Sequence, residues 1–392
     1  MKDPLQPYRR RFRRWRNAQR LRKERYYYQQ KMHALGLHVP AEDEVGHLLG
    51  GRPELQAKDP GSLSILAIYH HYNWENEAFL PSLLQFGRVR HYDWGGEYDH
   101  QSKEWNRGLK KRMNDELVVR VREWVKSDQT DVIFCYLSGE IVYPETLRQI
   151  ALHGVPMVNL ALNDKEAFVG KMRGGWATGS RDICRFFDLC WTSTEDALGK
   201  YCVEGALPLY LPEGGNPAVH KPRSVEMDID VSFVGQCYGN RPEVISKLHA
   251  AGINVEAFGF GWPNGPLTTE EMVRLYSRSR INLGFGGVDG LDATYCLKGR
   301  DFEVPMSGGL YLTEYHPELE RCYRSGEEIV TYRGIDELVE KIKWLLDHPE
   351  EAARIRQCGY QRAVQEHTWE MRFAKVFGLL GVMRTNFAKK TC

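Results

Sequence analysis

Lys298, Arg300 and Glu303 lie close together in the chain and are followed at once by Ser307-Gly308-Gly309 and a short apolar run ending at Tyr315. Two cations can neutralise a diphosphate, a carboxylate can accept from the vicinal hydroxyls of a ribose, and paired glycines let backbone approach a ligand. Such a set suits a sugar nucleotide. The plain alternative is a helix–glycine–strand corner carrying an i,i+3 Arg300–Glu303 ion pair. A second group sits after the run V-S-F-V-G (231–235), where the turn from Gly235 through Asn240 to Arg241 opens a helix. Free backbone N–H groups at a helix start, with an arginine beside them, favour a phosphate. The spacing G-x-x-x-G-N-R is neither a Walker A loop nor G-x-G-x-x-G, so nothing argues for a nicotinamide cofactor. The loop F-G-F-G-W-P-N-G (258–265), with Phe258 and Gly259, has the rings and glycines to frame a base or to pack a core. The expected nucleotide-binding set is therefore Gly235, Asn240, Arg241, Phe258, Gly259, Lys298, Arg300, Glu303, Ser307 and Gly308, with Glu314 open between a ligand and a structural role.

Acid–base candidates lie in the first half of the chain. His70-His71-Tyr72-Asn73-Trp74 follows one apolar run, Glu140 another, and Asp164 a third. His71, Glu140 or Asp164 could take the proton of an acceptor hydroxyl, while Lys298 and Arg300 would stabilise departing charge. Each could equally be a satisfied structural group at a strand end. No H-E-x-x-H, no Cys/His ligand spacing and no D-x-D at a strand end leads us to expect a metal, and no G-x-S-x-G elbow is present.

Elements must bring these residues together. Short apolar runs at 63–69, 89–94, 132–137, 157–162, 189–192 and 207–211 alternate with helical stretches near 76–86, 103–127, 143–153 and 194–203. That alternation specifies a parallel, doubly wound α/β sheet. Pro212–Pro222, with three prolines and two glycines, reads as a linker. A second alternation follows, with strands at 231–235, 254–261, 281–285 and 310–313 and an amphipathic helix at 335–347. The expected organisation is a basic arm and connecting segment (1–62), a first Rossmann-like domain (63–211), a linker (212–228), a second Rossmann-like domain (229–368) and a terminal segment (369–392). Two such Rossmann-like domains facing a central cleft hold ligands at the carboxyl ends of their strands.

Composition sets the outer bounds. At 392 residues, two domains are expected. No apolar run approaches a membrane span, and the charged N-terminus is unlike a signal peptide, so we expect a cytoplasmic protein with its nine scattered cysteines reduced. Residues 1–31 carry twelve basic and two acidic side chains, a net +10 against the +1 of the whole chain. Leu5, Tyr8, Phe12 and Trp15 recur at helical spacing among those arginines. Such an arm fits an anionic membrane surface at which the protein would sit peripherally, or nucleic acid phosphates, or its own protein.

The stretch R-D-F-E-V-P-M-S-G-G-L-Y-L-T-E-Y (300–315), with S-G-E-E-I-V-T-Y (325–332), D-E-L-V-E-K-I-K-W-L-L (336–346), H-P-E-E-A-A-R-I-R-Q-C-G (348–359) and H-T-W-E-M-R-F (367–373), resembles the C-terminal half of CgeB-like, spore-maturation-type glycosyltransferases of the retaining GT-B group. L-P-E-G-G-N-P-A-V-H-K-P and V-S-F-V-G-Q-C-Y-G-N-R resemble that family's linker and second-domain start. The resemblance implies a UDP- or GDP-sugar as donor, held by the C-terminal domain, and a final helix crossing back to the N-terminal domain. Glu303 would correspond to the ribose-binding second Glu of an E-x7-E motif whose first position is here Tyr295. The implied reaction moves a sugar to a hydroxyl acceptor (a glycan, a lipid-linked or a small molecule), with retention and without metal. Transfer to DNA through the basic arm, a GT-B-type sugar-nucleotide epimerase and a non-catalytic sugar-nucleotide binder are the alternatives. Neither the acceptor nor the oligomeric state is specified.

Overall fold

A computed structural model describes residues 6–50, 56–72, 74–287 and 295–384, with side chains of the first helix from position 15 onward and at position 12. Leu5, the Tyr8 side chain, Asn73 and Cys392 fall outside the described residues. The chain forms two compact units. Glu24–Pro212 together with the segment from Glu370 makes up one, and Glu213–Trp369 most of the other.

In the first unit, strands β1 (Leu63–Ile68), β2 (Gly87–Tyr92), β3 (Val132–Cys135), β4 (Met157–Ala161), β7 (Leu189–Thr192) and β8 (Pro208–Tyr210) make one parallel sheet in the order β2-β1-β3-β4-β7-β8; a short antiparallel hairpin, β5 (Met172–Arg173) and β6 (Trp176–Ala177), lies apart. Its central strands are buried along their length, β3 and β4 without an exposed position, which is why they read as unbroken apolar runs. Helix Trp369–Leu379 belongs here through Phe373, whose ring packs edge-on against Phe79, Phe134 and Trp191.

The second unit carries β9 (Ile229–Val234), β10 (Val255–Phe258), β11 (Ser279–Leu283), β12 (Tyr311–Glu314) and β13 (Val330–Tyr332), all parallel, in the order β10-β9-β11-β12-β13. Its core gathers Val231, Phe233, Ile281, Leu312, Leu338 and Ile342. The helix Thr269–Arg278 starts with a capping box between Thr268 and Glu271, as its T-T-E-E start leads one to expect.

Two segments are more structured than their composition suggests. The connecting stretch 34–62 holds a helix, Glu42–Leu49, whose Val45 is buried and whose Glu42 pairs with Lys375. The Pro/Gly-rich stretch, which begins where the chain passes from one unit to the other, is a packed corner. Gly215 bridges to Thr368, and Glu213, Asn216 and His220 are buried.

The basic arm is the start of a 29-residue helix, Gln6–Ala34. From Glu24 onward it is fastened to the first unit. Lys200 pairs with Glu24 at 2.7 Å, the Tyr28 hydroxyl donates to Glu204 at 2.7 Å, and the Tyr28 ring meets Phe168 edge-on. Before that anchor, Phe12 and Trp15 stack on one another and remain 61% and 57% exposed.

Candidate functional site

In the second unit the carboxyl end of β9 runs into Gly235 and the helix Arg241–Ala250, whose second residue, Pro242, suits a first turn. Arg241 is only 4% exposed. Its Nη1 donates to the Gln236 carbonyl at 3.0 Å, and its guanidinium lies over the Tyr238 and Phe233 rings at 4.2 and 5.3 Å. Arg300, opening the helix Arg300–Met306, covers Phe233 as well, at 5.4 Å. Arg300 keeps some exposure as a residue, yet its Nε and Nη2 are buried and meet no acceptor among the described residues. Both guanidiniums converge on Gly235. A Cβ there would lie 3.0 Å from Arg300 Nη1, 3.4 Å from Arg241 Nη1 and 2.8 Å from the Phe233 ring, so no side chain fits at this position.

The electrostatics follow from that geometry. Burial, and next the nearby Arg300, bring Arg241 down to about 10. Among the described residues neither arginine has a carboxylate within ion-pair distance. Two repelling cations on an aromatic floor, one with unsatisfied N–H groups, are stabilised by an anion placed against both. The Arg300–Glu303 ion pair of the plain alternative does not form. Lys298, partly exposed, is fixed by its own backbone: its N–H donates to Asp301 Oδ2 at 2.7 Å, and Asp301 Oδ1 accepts the buried Tyr311 hydroxyl at 2.6 Å.

Glu303 lies one turn into that helix, and burial pushes its carboxyl up to about 7 against the pull of Arg300. A second carboxylate faces it. Glu213, from the packed corner after Pro212, is pushed up to about 8 by burial, with Lys298 opposing and Glu303 adding to the rise. A Cβ on Gly299 would sit 2.8 Å from Glu303 Oε1 and 3.3 Å from Glu213 Oε2. Nothing in the local sequence marks Glu213, which stands ninety residues before its neighbour.

Other expected nucleotide residues take different parts. Ser307 and Gly308 do not open the backbone to a ligand. Ser307 is wholly buried, Gly308 has φ +73° and presses on Pro222, and Gly309 faces Asn282 and Val304, so the Ser-Gly-Gly step is crowded by protein and serves the packing of helix on strand. Gly259, at φ +124°, passes against the Gly235 carbonyl, and Trp262 Nε1 donates to that same oxygen at 2.8 Å. The loop thus holds Gly235 in place, with Phe258 half-buried and Phe260 exposed. Asn240 is exposed at the helix start and its side chain caps nothing. Glu314 accepts the Gly287 N–H at 2.7 Å, and Tyr295 stacks on His316 with rings 5.7 Å apart and nearly parallel.

In the first unit the acid–base candidates separate. Asp164 accepts from the hydroxyls of Ser180, Thr192 and Tyr201 at 2.6–2.7 Å, and burial raises its carboxyl. With both oxygens occupied it anchors structure and is not a free base. Glu140 is committed to an ion pair with Arg173. His71 receives the Asn76 N–H on Nδ1 at 3.2 Å. Its neighbour His70 is better placed for proton transfer: Nδ1 lies 2.6 Å from Asp93 Oδ1, and the same carboxylate accepts the N–H groups of Gly95 and His71. Burial pushes Asp93 up, but these hydrogen bonds outweigh it and hold its carboxyl below the ordinary range. An imidazole that donates Nδ1–H to a carboxylate keeps Nε2 as a base. The pair arises because β1 and β2 are parallel neighbours with Ile68 opposite Tyr92, which sets the residues beyond both strands side by side.

Residues 241–378 match a family model described as "Glycosyl transferase-like". That span covers the helix of Arg241, the Lys298–Glu303 corner and the helix of Phe373. The chain has the GT-B fold, and its residues 241–378 form a glycosyl transferase-like domain. Among solved structures, it is similar to a sucrose-phosphate synthase from Thermosynechococcus elongatus (TM-score 0.55, 11% identity, 81% of this chain and 99% of that one). It is also similar to HepE from Anabaena in complex with UDP-glucose (TM-score 0.54, 10% identity, 81% and 100%). A protein assigned as a UDP-N-acetylglucosamine 2-epimerase from Listeria monocytogenes has the same fold (TM-score 0.52, 11% identity, 81% and 96%). At such identities the likeness concerns the fold alone. No curated protein matches the chain in sequence.

Proposed function

We propose that this GT-B glycosyltransferase moves a sugar from a nucleoside-diphosphate sugar to a hydroxyl acceptor. The carrying observation is the convergence of Arg241 and Arg300 on Gly235, with Lys298 nearby. In the reaction the bond between the anomeric carbon and the diphosphate oxygen breaks, with its electron pair leaving on the nucleoside diphosphate. A new bond forms from that carbon to the acceptor oxygen, which gives up its proton. The three cations stabilise the leaving charge with no metal required of the protein. Glu303, with Glu213 across Gly299, takes the ribose hydroxyls. The UDP-glucose bound by HepE supports a UDP-sugar as donor, with a GDP-sugar as the alternative. The narrower CgeB-like likeness rests on the motifs between 205 and 376. The test is calorimetric titration with UDP, GDP and their sugars, followed by mass spectrometry of the products. Binding and acceptor-dependent transfer support the reading; isomerised sugar nucleotide without an acceptor would move it to epimerisation.

The resemblance favours retention, in which the acceptor proton passes to the leaving diphosphate. The His70–Asp93 pair favours the second reading, inversion, in which His70 Nε2 takes that proton. Nuclear magnetic resonance of the product's anomeric centre decides between them.

The helix ahead of Glu24 carries exposed Phe12 and Trp15 in an arginine-rich stretch. We infer that it docks on anionic lipid headgroups, with the two rings in the interface. Sedimentation with phosphatidylglycerol vesicles, lost with phosphatidylcholine alone and in a Phe12→Ser/Trp15→Ser variant, supports this. Binding to duplex DNA but to neither vesicle would replace it with the nucleic acid reading.

A further inference from the structure

The first unit contains a cavity of about 360 Å³ at the carboxyl ends of β1, β3 and β4. It falls within the range of small-molecule sites, about 300–1,000 Å³, and is too small for a nucleic acid duplex. Its wall is aromatic and aliphatic, with Tyr72 and Trp74 after β1, Tyr136 and Leu137 after β3, and Leu162 after β4. Tyr72 is 47% exposed and so offers its ring at the surface.

The charge of this wall narrows the ligand. No Lys, Arg or His lines the cavity among the described residues, and its acidic groups are already committed. Glu75 Oε2 accepts the N–H groups of Tyr72 and Trp74 at 3.0 and 3.1 Å, and Asp164 holds its three hydroxyls. An anion entering here would lose its hydration with no cation to replace it, and a cation would compete with those hydrogen bonds. Ser138 and Thr178 add hydroxyls that suit a hydroxylated neutral molecule. Rings at the rim suit a flat apolar face.

We propose that this cavity takes the acceptor, and that the acceptor is an uncharged, hydroxyl-bearing molecule with a flat apolar face, such as a pyranose ring or a phenol. The proposal rests on the transfer reading above and adds the chemical class that the reaction accepts.

The experiment measures saturable binding, by saturation-transfer resonance and calorimetry, of methyl glucopyranoside and p-cresol, each against an anionic counterpart, methyl glucuronide and phenyl phosphate. It uses the full chain, Tyr72→Ala and Ala167→Leu, which narrows the cavity from a partly exposed position. At least one neutral probe should bind about tenfold more tightly than its counterpart, and each variant should weaken it by about fivefold to tenfold. Binding of the pyranoside assigns a sugar acceptor, and binding of the cresol a phenolic one. Equal or tighter anion binding, no neutral binding, or neutral binding that both variants leave intact overturns the proposal. Nucleoside diphosphate titrated into the same samples keeps the outcomes apart. If it binds while the neutral probes do not, the acceptor class fails and the donor reading stands.

Discussion

Replacing Arg300 by Met should separate binding from stability. Its Nη1 and that of Arg241 both lie near the Gly235 Cβ position, at 3.0 and 3.4 Å. The charges are therefore no more than about 6 Å apart, a repulsion of about 3 kcal/mol at an effective dielectric constant of about 20. Burial works against the charge of Arg300, while Tyr311, Tyr276, Asp301 and Glu303 favour it and together raise its hold on its proton. Met removes the Arg241 repulsion and the attraction of the carboxylates together, and it can still cover Phe233. The ligand-free variant should therefore stay within about 1–2 kcal/mol of the parent in stability. Its nucleotide affinity should collapse. Nε and Nη2 are available for two charge-assisted hydrogen bonds, each contributing about 1.5–3 kcal/mol, so the dissociation constant should rise about 10²–10⁴-fold. Arg300→Lys, which keeps the charge but loses the fork, should fall between. Calorimetric titration with whichever of UDP or GDP binds the parent gives the affinity, and denaturant melts give the stability. Affinity kept within threefold, together with a stability loss above about 3 kcal/mol, would show that Arg300 is a structural cation and the argument mistaken.

Glu213→Gln tests the carboxylate pair. Glu213 ionises near 4.5 when unfolded but near 8 in the fold, so its favourable contribution is present below pH 4.5 and is lost as pH rises to 8. The variant should gain stability relative to the parent between pH 5 and pH 8, by up to about 5 kcal/mol, and parallel melting profiles would refute this. Asp164→Ala strands three buried hydroxyls and should cost about 3–5 kcal/mol in denaturant melts; full stability with activity lost would restore Asp164 as a base. His70→Gln should lower the turnover of an inverting enzyme by about 10²–10⁴-fold, whereas a retaining enzyme should keep most of its rate. Asp93→Asn should reproduce part of that loss without weakening nucleotide binding.

The strands were legible because parallel, fully covered strands such as Val132–Cys135 have no solvent face to interrupt them. The helix starts that carry Arg241 and Arg300 were legible because cations beside glycine at helix starts form a local pattern. Groupings made by topology were not. His70 meets Asp93 through the β1–β2 register, and Glu213 meets Glu303 through a corner whose composition reads as a linker. Ser307-Gly308-Gly309 misled for the same reason. Glycine is required there by Pro222, Asn282 and Val304, and two of these lie far away in sequence. The structural role of Asp164 was not decided by the sequence because its three hydroxyl partners come from positions 180, 192 and 201.

The central claim is that the Arg241–Arg300 corner binds the diphosphate of a sugar nucleotide. Titration of UDP and GDP, each against its nucleoside and monophosphate, tests it most directly. The account predicts saturable binding of at least one diphosphate, about a hundredfold or more tighter than its nucleoside and lost in Arg300→Met. Equal affinity for diphosphate and nucleoside, or diphosphate binding untouched by that substitution, would contradict it.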